Sequence, residues 1–140
     1  MSKCTQHYPE YFRHKSSFYT IEIDPAKSDR GAPGHHITDS IENIGNYFKE
    51  GTFDCVLMNG VYGWGLNDEP TLLRSLSAVL RVLKKSGVLL WGWDKSPKYD
   101  PLNLDGKPYF RDFEKYEIGG AARIELDNKH HHIYDLYRKP

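Results

Sequence analysis

Polar and apolar positions alternate from Tyr19 onward, with Tyr19, Ile21 and Ile23 on one face and Thr20, Glu22 and Asp24 on the other. A period of two carried by β-branched and aromatic residues predicts a strand, which Pro25 stops. The Gly-, Pro- and charge-rich residues 26–36 predict a loop, and "HITDS" predicts a second short strand ending at Asp39. Beyond Ser40, a cap candidate, Ile41, Ile44 and Phe48 recur at helical spacing and Glu42 falls in the first turn. A carboxylate there favours the positive helix end, so a helix over 41–50 is expected, closed by Gly51. The nearly all-apolar "FDCVLMN" predicts a strand buried on both faces of a parallel sheet, with Cys55 acting as a small hydrophobe.

The clearest helix spans residues 69–85. Asp68 is its N-cap and Pro70 sits where no amide partner is lost. Leu72, Leu73, Leu76, Val79, Leu80 and Leu83 form its apolar face, with Arg74, Ser75, Arg81 and Lys84 pointing away. Lys84 and Lys85 suit the negative end and Gly87 closes it. Residues 87–94 predict another buried strand, in which Trp91 and Trp93 share a face. Residues 95–116 predict a loop with one short helical turn. Residues 121–128 and 130–139 both alternate and predict an antiparallel pair joined by a polar turn. Strand–helix–strand alternation with an antiparallel end predicts an α/β domain on a mostly parallel sheet, one domain over 1–140 with 1–16 irregular.

Composition narrows the partners. Lys plus Arg equals Asp plus Glu at 19 each, so no global field draws in nucleic acid or membrane. The mean hydropathy of -0.68 and the lack of a long apolar run predict a soluble, cytoplasmic chain. Cys4 and Cys55 make no metal spacing, and no disulfide is expected.

The order of these motifs resembles class I S-adenosylmethionine-dependent methyltransferases over residues 18–140. "YTIEID" resembles the family's second strand, whose terminal acid binds the ribose hydroxyls; the resemblance puts Asp24 in that role, with Glu22 beside it. "HITDSI" puts Asp39 against the adenine amine and Ile41 against the adenine face. "FDCVLMNG" resembles the fourth strand, whose end lies beside the reactive sulfonium, and "LRVLKKSGVLLWG" resembles the segment that leads into the fifth. "HIYDLYRKP" resembles the antiparallel last strand. The resemblance implies a Rossmann-like methyltransferase fold, mostly parallel with a C-terminal antiparallel hairpin, that binds S-adenosylmethionine and methylates a small-molecule acceptor.

One family feature is absent. Before Ser17 the sequence has no glycine and no apolar strand, so the Gly-rich first motif and its strand and helix are missing. Three readings follow: another part of the site compensates, the cofactor is gone and the chain is an inactive binding or dimerising module, or the sequence is a shortened form of a longer parent. Without a first strand, the strand ending at Asp24 is expected to pair directly with the one ending at Asn59, or with a partner chain, making a homodimer.

The turn "NGVYGWG" supplies the remaining candidates: Asn59 and Gly60 edging a cofactor pocket, and Tyr62 and Trp64 as an aromatic wall apt for a cation. Asp94 is a candidate base or a surface acid. His35, His36 and the three histidines at 130–132 invite a metal reading, but no third ligand has suitable spacing, and no metal is expected. Tyr8, Tyr11 and Phe12 are expected to pack over the sheet, and Tyr11 or Phe12 is expected to fill the pocket of an inactive module.

Overall fold

A computed structural model of the chain describes residues 7–12, 18–95, 109–127 and 131–140. Two sheets carry the architecture. Strands β1 (Thr20–Glu22) and β2 (His36–Thr38) form a parallel pair. The second sheet contains β3 (Phe53–Asn59), β4 (Leu83–Asp94), β5 (Glu114–Lys115), β6 (Arg123–Glu125) and β7 (His132–Arg138). Its order is β3-β4-β7-β5, with β6 also on β7. β3 and β4 run parallel, and β7 lies antiparallel to β4, β5 and β6. Parallel pairs followed by an antiparallel end are what the alternation predicts, although the two parallel pairs lie in separate sheets.

β4 alternates sharply. Leu89, Trp91 and Trp93 are essentially fully buried, in one cluster with Val56 and Met58 of β3, Ile133 of β7 and the inner face of helix α1 (Glu69–Val82). Burying an indole removes roughly 150–250 Å² from water, an upper bound of about 4–6 kcal/mol each. Beneath them Asp135 is also buried. It accepts from Trp93 Nε1 at 2.9 Å and from Arg123 at 2.7 and 3.0 Å, so its charge is paired.

α1 starts as expected, with Asp68 Oδ1 accepting from the Thr71 N–H at 2.9 Å. It ends three residues early, at Val82, because Leu83 turns extended and begins β4. Lys84 therefore does not cap the helix; it pairs with Asp54 of β3 at 2.8 Å. Ser75 faces inward, fully buried, and Leu73 lies 39% exposed, so the apolar stripe is rotated from the one read off the leucines.

Other expectations change as well. The helix over 41–50 is a 3-10 turn, Ile41–Asn46; Ser40 is its N-cap residue but makes no side-chain cap bond, and Asp39 braces the entry by accepting from the Ser40 N–H and Asn43 Nδ2. Part of the 26–36 loop is a second 3-10 turn, Pro25–Arg30. β3 is not buried on both faces: Val56 and Met58 point into the core, whereas Cys55 is exposed and Leu57 and Asn59 are half-buried. β1 pairs with β2 alone among the described residues and does not hydrogen-bond β3. The aromatic cluster of Tyr19, Phe48 and Phe53, with centroids 4.7–6.1 Å apart, joins the two sheets instead. The polar turn expected at 127–129 and most of the 95–116 loop lie outside the described residues.

Among the described residues the Ser75 hydroxyl has no hydrogen-bond partner. Ser75→Ala removes a buried unsatisfied group and improves helix propensity, so it should stabilise the fold by about 0.5–1.5 kcal/mol. Urea unfolding should show the midpoint rising at constant slope.

Candidate functional site at the strand mouths

Parallel strands present their carboxyl ends along one edge, where open α/β sheets bind ligands. Two groups of candidate residues collect at such ends. At the first, the Asp39 N–H donates to the Glu22 carbonyl at 3.1 Å and holds the ends of β1 and β2 together. The Glu22 carboxylate turns to the Asp24 N–H at 3.1 Å. Asp24 Oδ1 accepts from the Ala26 N–H at 3.0 Å, and its Oδ2 lies 3.2 Å from Lys27 Nζ. The Ala26 N–H and then the Lys27 ammonium hold this carboxyl below the usual range. Asp39 is more fully engaged, by Asn43 Nδ2, the Tyr47 hydroxyl and the Ser40 N–H, and these lower its pKa in that order. Ile41 packs half-buried against the core.

The second group lies at the mouth of β3. Gly60 adopts φ +60°, a left-handed conformation that glycine takes without strain, and its N–H donates to the Gly92 carbonyl. The turn then separates the two rings: Tyr62 leans inward on Trp91, with centroids 5.8 Å apart, while Trp64 is 73% exposed.

Asn59 anchors a network that the sequence reading did not assemble. Its Nδ2 donates to the hydroxyls of Tyr8 at 2.7 Å and Tyr134 at 3.2 Å. Its Oδ1 faces His132 Nε2 at 2.8 Å, and His132 Nδ1 lies 2.5 Å from Asp94 Oδ1. Both imidazole nitrogens therefore face side-chain oxygens, which fixes the ring between Asn59 and Asp94. Burial, then the Tyr8 hydroxyl, pushes the Tyr134 phenol up to about 12, keeping it neutral. The network follows from the antiparallel register of β4 and β7, which sets His132 opposite Asp94 and Tyr134 opposite Gly92. Asp94 is thus tied to His132 rather than standing as a bare surface acid. His132 is a network member, and no group of three metal-type ligands exists among the described residues.

The Tyr8 contact alters the expectation for the N-terminal residues. Tyr8, not Tyr11 or Phe12, reaches the mouth; Tyr11 is 74% exposed and Phe12 leans on Phe18.

Comparison with solved structures identifies the architecture. N-methyltransferase NodS from Bradyrhizobium japonicum superposes with a TM-score of 0.61 at 14% identity, over 86% of this chain and 72% of that one. Its complex with S-adenosyl-L-homocysteine gives 0.65 at 14% identity, over 86% and 66%. A TehB-like SAM-dependent methyltransferase from Corynebacterium glutamicum gives 0.62 at 12% identity, again over 86% and 66%. This chain has a class I methyltransferase-like fold. It spans 66% of the length of the latter two chains. No family model and no curated protein matches the sequence. Among the described residues, this methyltransferase-like fold has no strand between β1 and β3, and no helix is long and apolar enough to cross a membrane.

Gly92 is the floor of the network. A Cβ there would fall 2.4 Å from Asn59 Oδ1, 2.7 Å from Tyr134 Cε1 and 2.9 Å from His132 Nε2. Gly92→Ala should therefore cost about 1–3 kcal/mol in urea unfolding and displace the His132 ring resonances. An unchanged midpoint and unchanged His132 resonances would show that the network is loosely held.

Proposed function

We propose that this chain binds S-adenosylmethionine along its strand mouths and transfers the methyl group to a small-molecule acceptor. One observation carries the reading: within a class I methyltransferase-like fold, an acid ends β1, an acid follows β2, and an Asn-Gly turn opens at the end of β3. The residues fit the nucleoside end of such a ligand. The Asp24 side chain is 40% exposed, and each carboxylate oxygen keeps a further lone pair for a ribose hydroxyl beyond its bond to Ala26 or Lys27. Ile41 offers an apolar edge for a base. When bound, the cofactor supplies an electrophilic methyl; Asn59, Gly60, Tyr62 and Trp64 would orient donor and acceptor at the mouth.

A second reading is favoured by a specific observation. The mouth residue Asn59 is engaged by the protein's own Tyr8, and the facing edges of β1 and β3 are unpaired among the described residues. Both features suit a non-catalytic module that pairs strands with another chain, such as a second copy.

Calorimetric titration with S-adenosylhomocysteine separates the two. Methyl transfer predicts saturable binding that Asp24→Ala weakens about 10- to 150-fold, the worth of a hydrogen bond to a charged group. No heat at millimolar ligand, together with dimerisation in sedimentation, would support the strand-pairing module.

A further inference from the structure

The N-terminal turn Tyr8–Tyr11 is lightly held. It buries none of its residues, and its own backbone bonds are local, from the Glu10 N–H to the His7 carbonyl and from the Phe12 N–H to the Pro9 carbonyl. Yet Tyr8 reaches across 51 residues of sequence to Asn59 with the shorter of that carboxamide's two N–H bonds, 2.7 Å against 3.2 Å to Tyr134. The receiving side is built rather than incidental. Asn59 is fixed from behind by His132 and Asp94, and Gly92 leaves the space in which the carboxamide and the imidazole sit.

A rigid, oriented carboxamide at a strand mouth is a binding group, and here the chain fills it with its own phenol. We propose that Tyr8 is a latch: its hydroxyl closes the mouth in the unliganded protein, and a ligand that presents an oxygen acceptor to Asn59 Nδ2 displaces it and frees the turn. Asn59 offers N–H on that side, so the displacing group is an acceptor such as a hydroxyl or carboxylate oxygen. Among the described residues the turn reaches the sheet through the Tyr8 hydroxyl, at Asn59 and beside Tyr134, and a segment held at one side-chain tip belongs to the low-stability end of a fold, where ligand-gated segments are found. The choice of S-adenosylhomocysteine as probe rests on the methyl-transfer reading; the latch itself does not.

Tyr8→Phe removes the hydroxyl and keeps the ring. Amide hydrogen exchange without ligand should show Glu10 and Phe12 exchanging faster in the variant, with the amides of β3 and β4 unchanged. S-adenosylhomocysteine should bind the variant about two- to tenfold tighter, since it no longer displaces a neutral hydrogen bond. Unchanged exchange at Glu10 and Phe12 would overturn the latch. So would binding that is equal or weaker in the variant, because Tyr8 would then be a ligand contact or a bystander. Faster exchange with no binding by either protein would support the latch and overturn the methyl-transfer reading instead.

Discussion

Everything at the mouth depends on the alternation of β4. Its position between β3 and β7 buries Leu89, Trp91 and Trp93 on one face, against α1. Period two then sends Gly92 and Asp94 to the opposite face. With two indoles fixed in the core, the strand has no freedom to slip by one residue, since a slip would expose both rings. The register that buries the tryptophans therefore also places Asn59, Asp94, His132 and Tyr134 around Gly92. The apolar side of the strand specifies the geometry of its polar side.

The parts of the fold set by local chemistry were legible in the sequence. Asp68 and Pro70 marked the start of α1, alternation marked β1 and β7, and the apolar run marked β3. What was not legible required knowing which neighbour covers which face. Ser75 looked solvent-facing beside Arg74, but the buried stripe of α1 runs through Leu72, Ser75, Leu76, Val79 and Val82. Cys55 looked internal because apolar runs usually lie between two helical layers, and here its side of β3 is left exposed. The 41–50 segment had helical spacing, yet the contacts from Asp39 to Ser40, Asn43 and Tyr47 stabilise a tight turn there.

The candidate site divides in the same way. Asp24, Asp39 and the Asn59 turn were visible as strand-end residues. His132 and Tyr134 were visible only as members of an alternating strand, and their role needed the antiparallel register against β4. Tyr8 was expected over the sheet but not at Asn59, because a contact across 51 residues has no local signature. The two ends of the mouth consequently differ in character. Asp24 is half-exposed with acceptor capacity to spare, whereas Asn59 is saturated by the protein's own side chains. A ligand lying along the strand mouths would meet an open end at Asp24 and a closed end at Asn59.

The most direct test of this account is amide chemical-shift mapping of the full chain with S-adenosylhomocysteine. The account predicts saturable shifts at Asp24 and Asp39, continuing to Asn59, Gly60 and Trp64. Absence of shifts, or shifts confined to the open face around Cys55 and Leu57, would contradict it and leave the mouth as a self-filled structural feature.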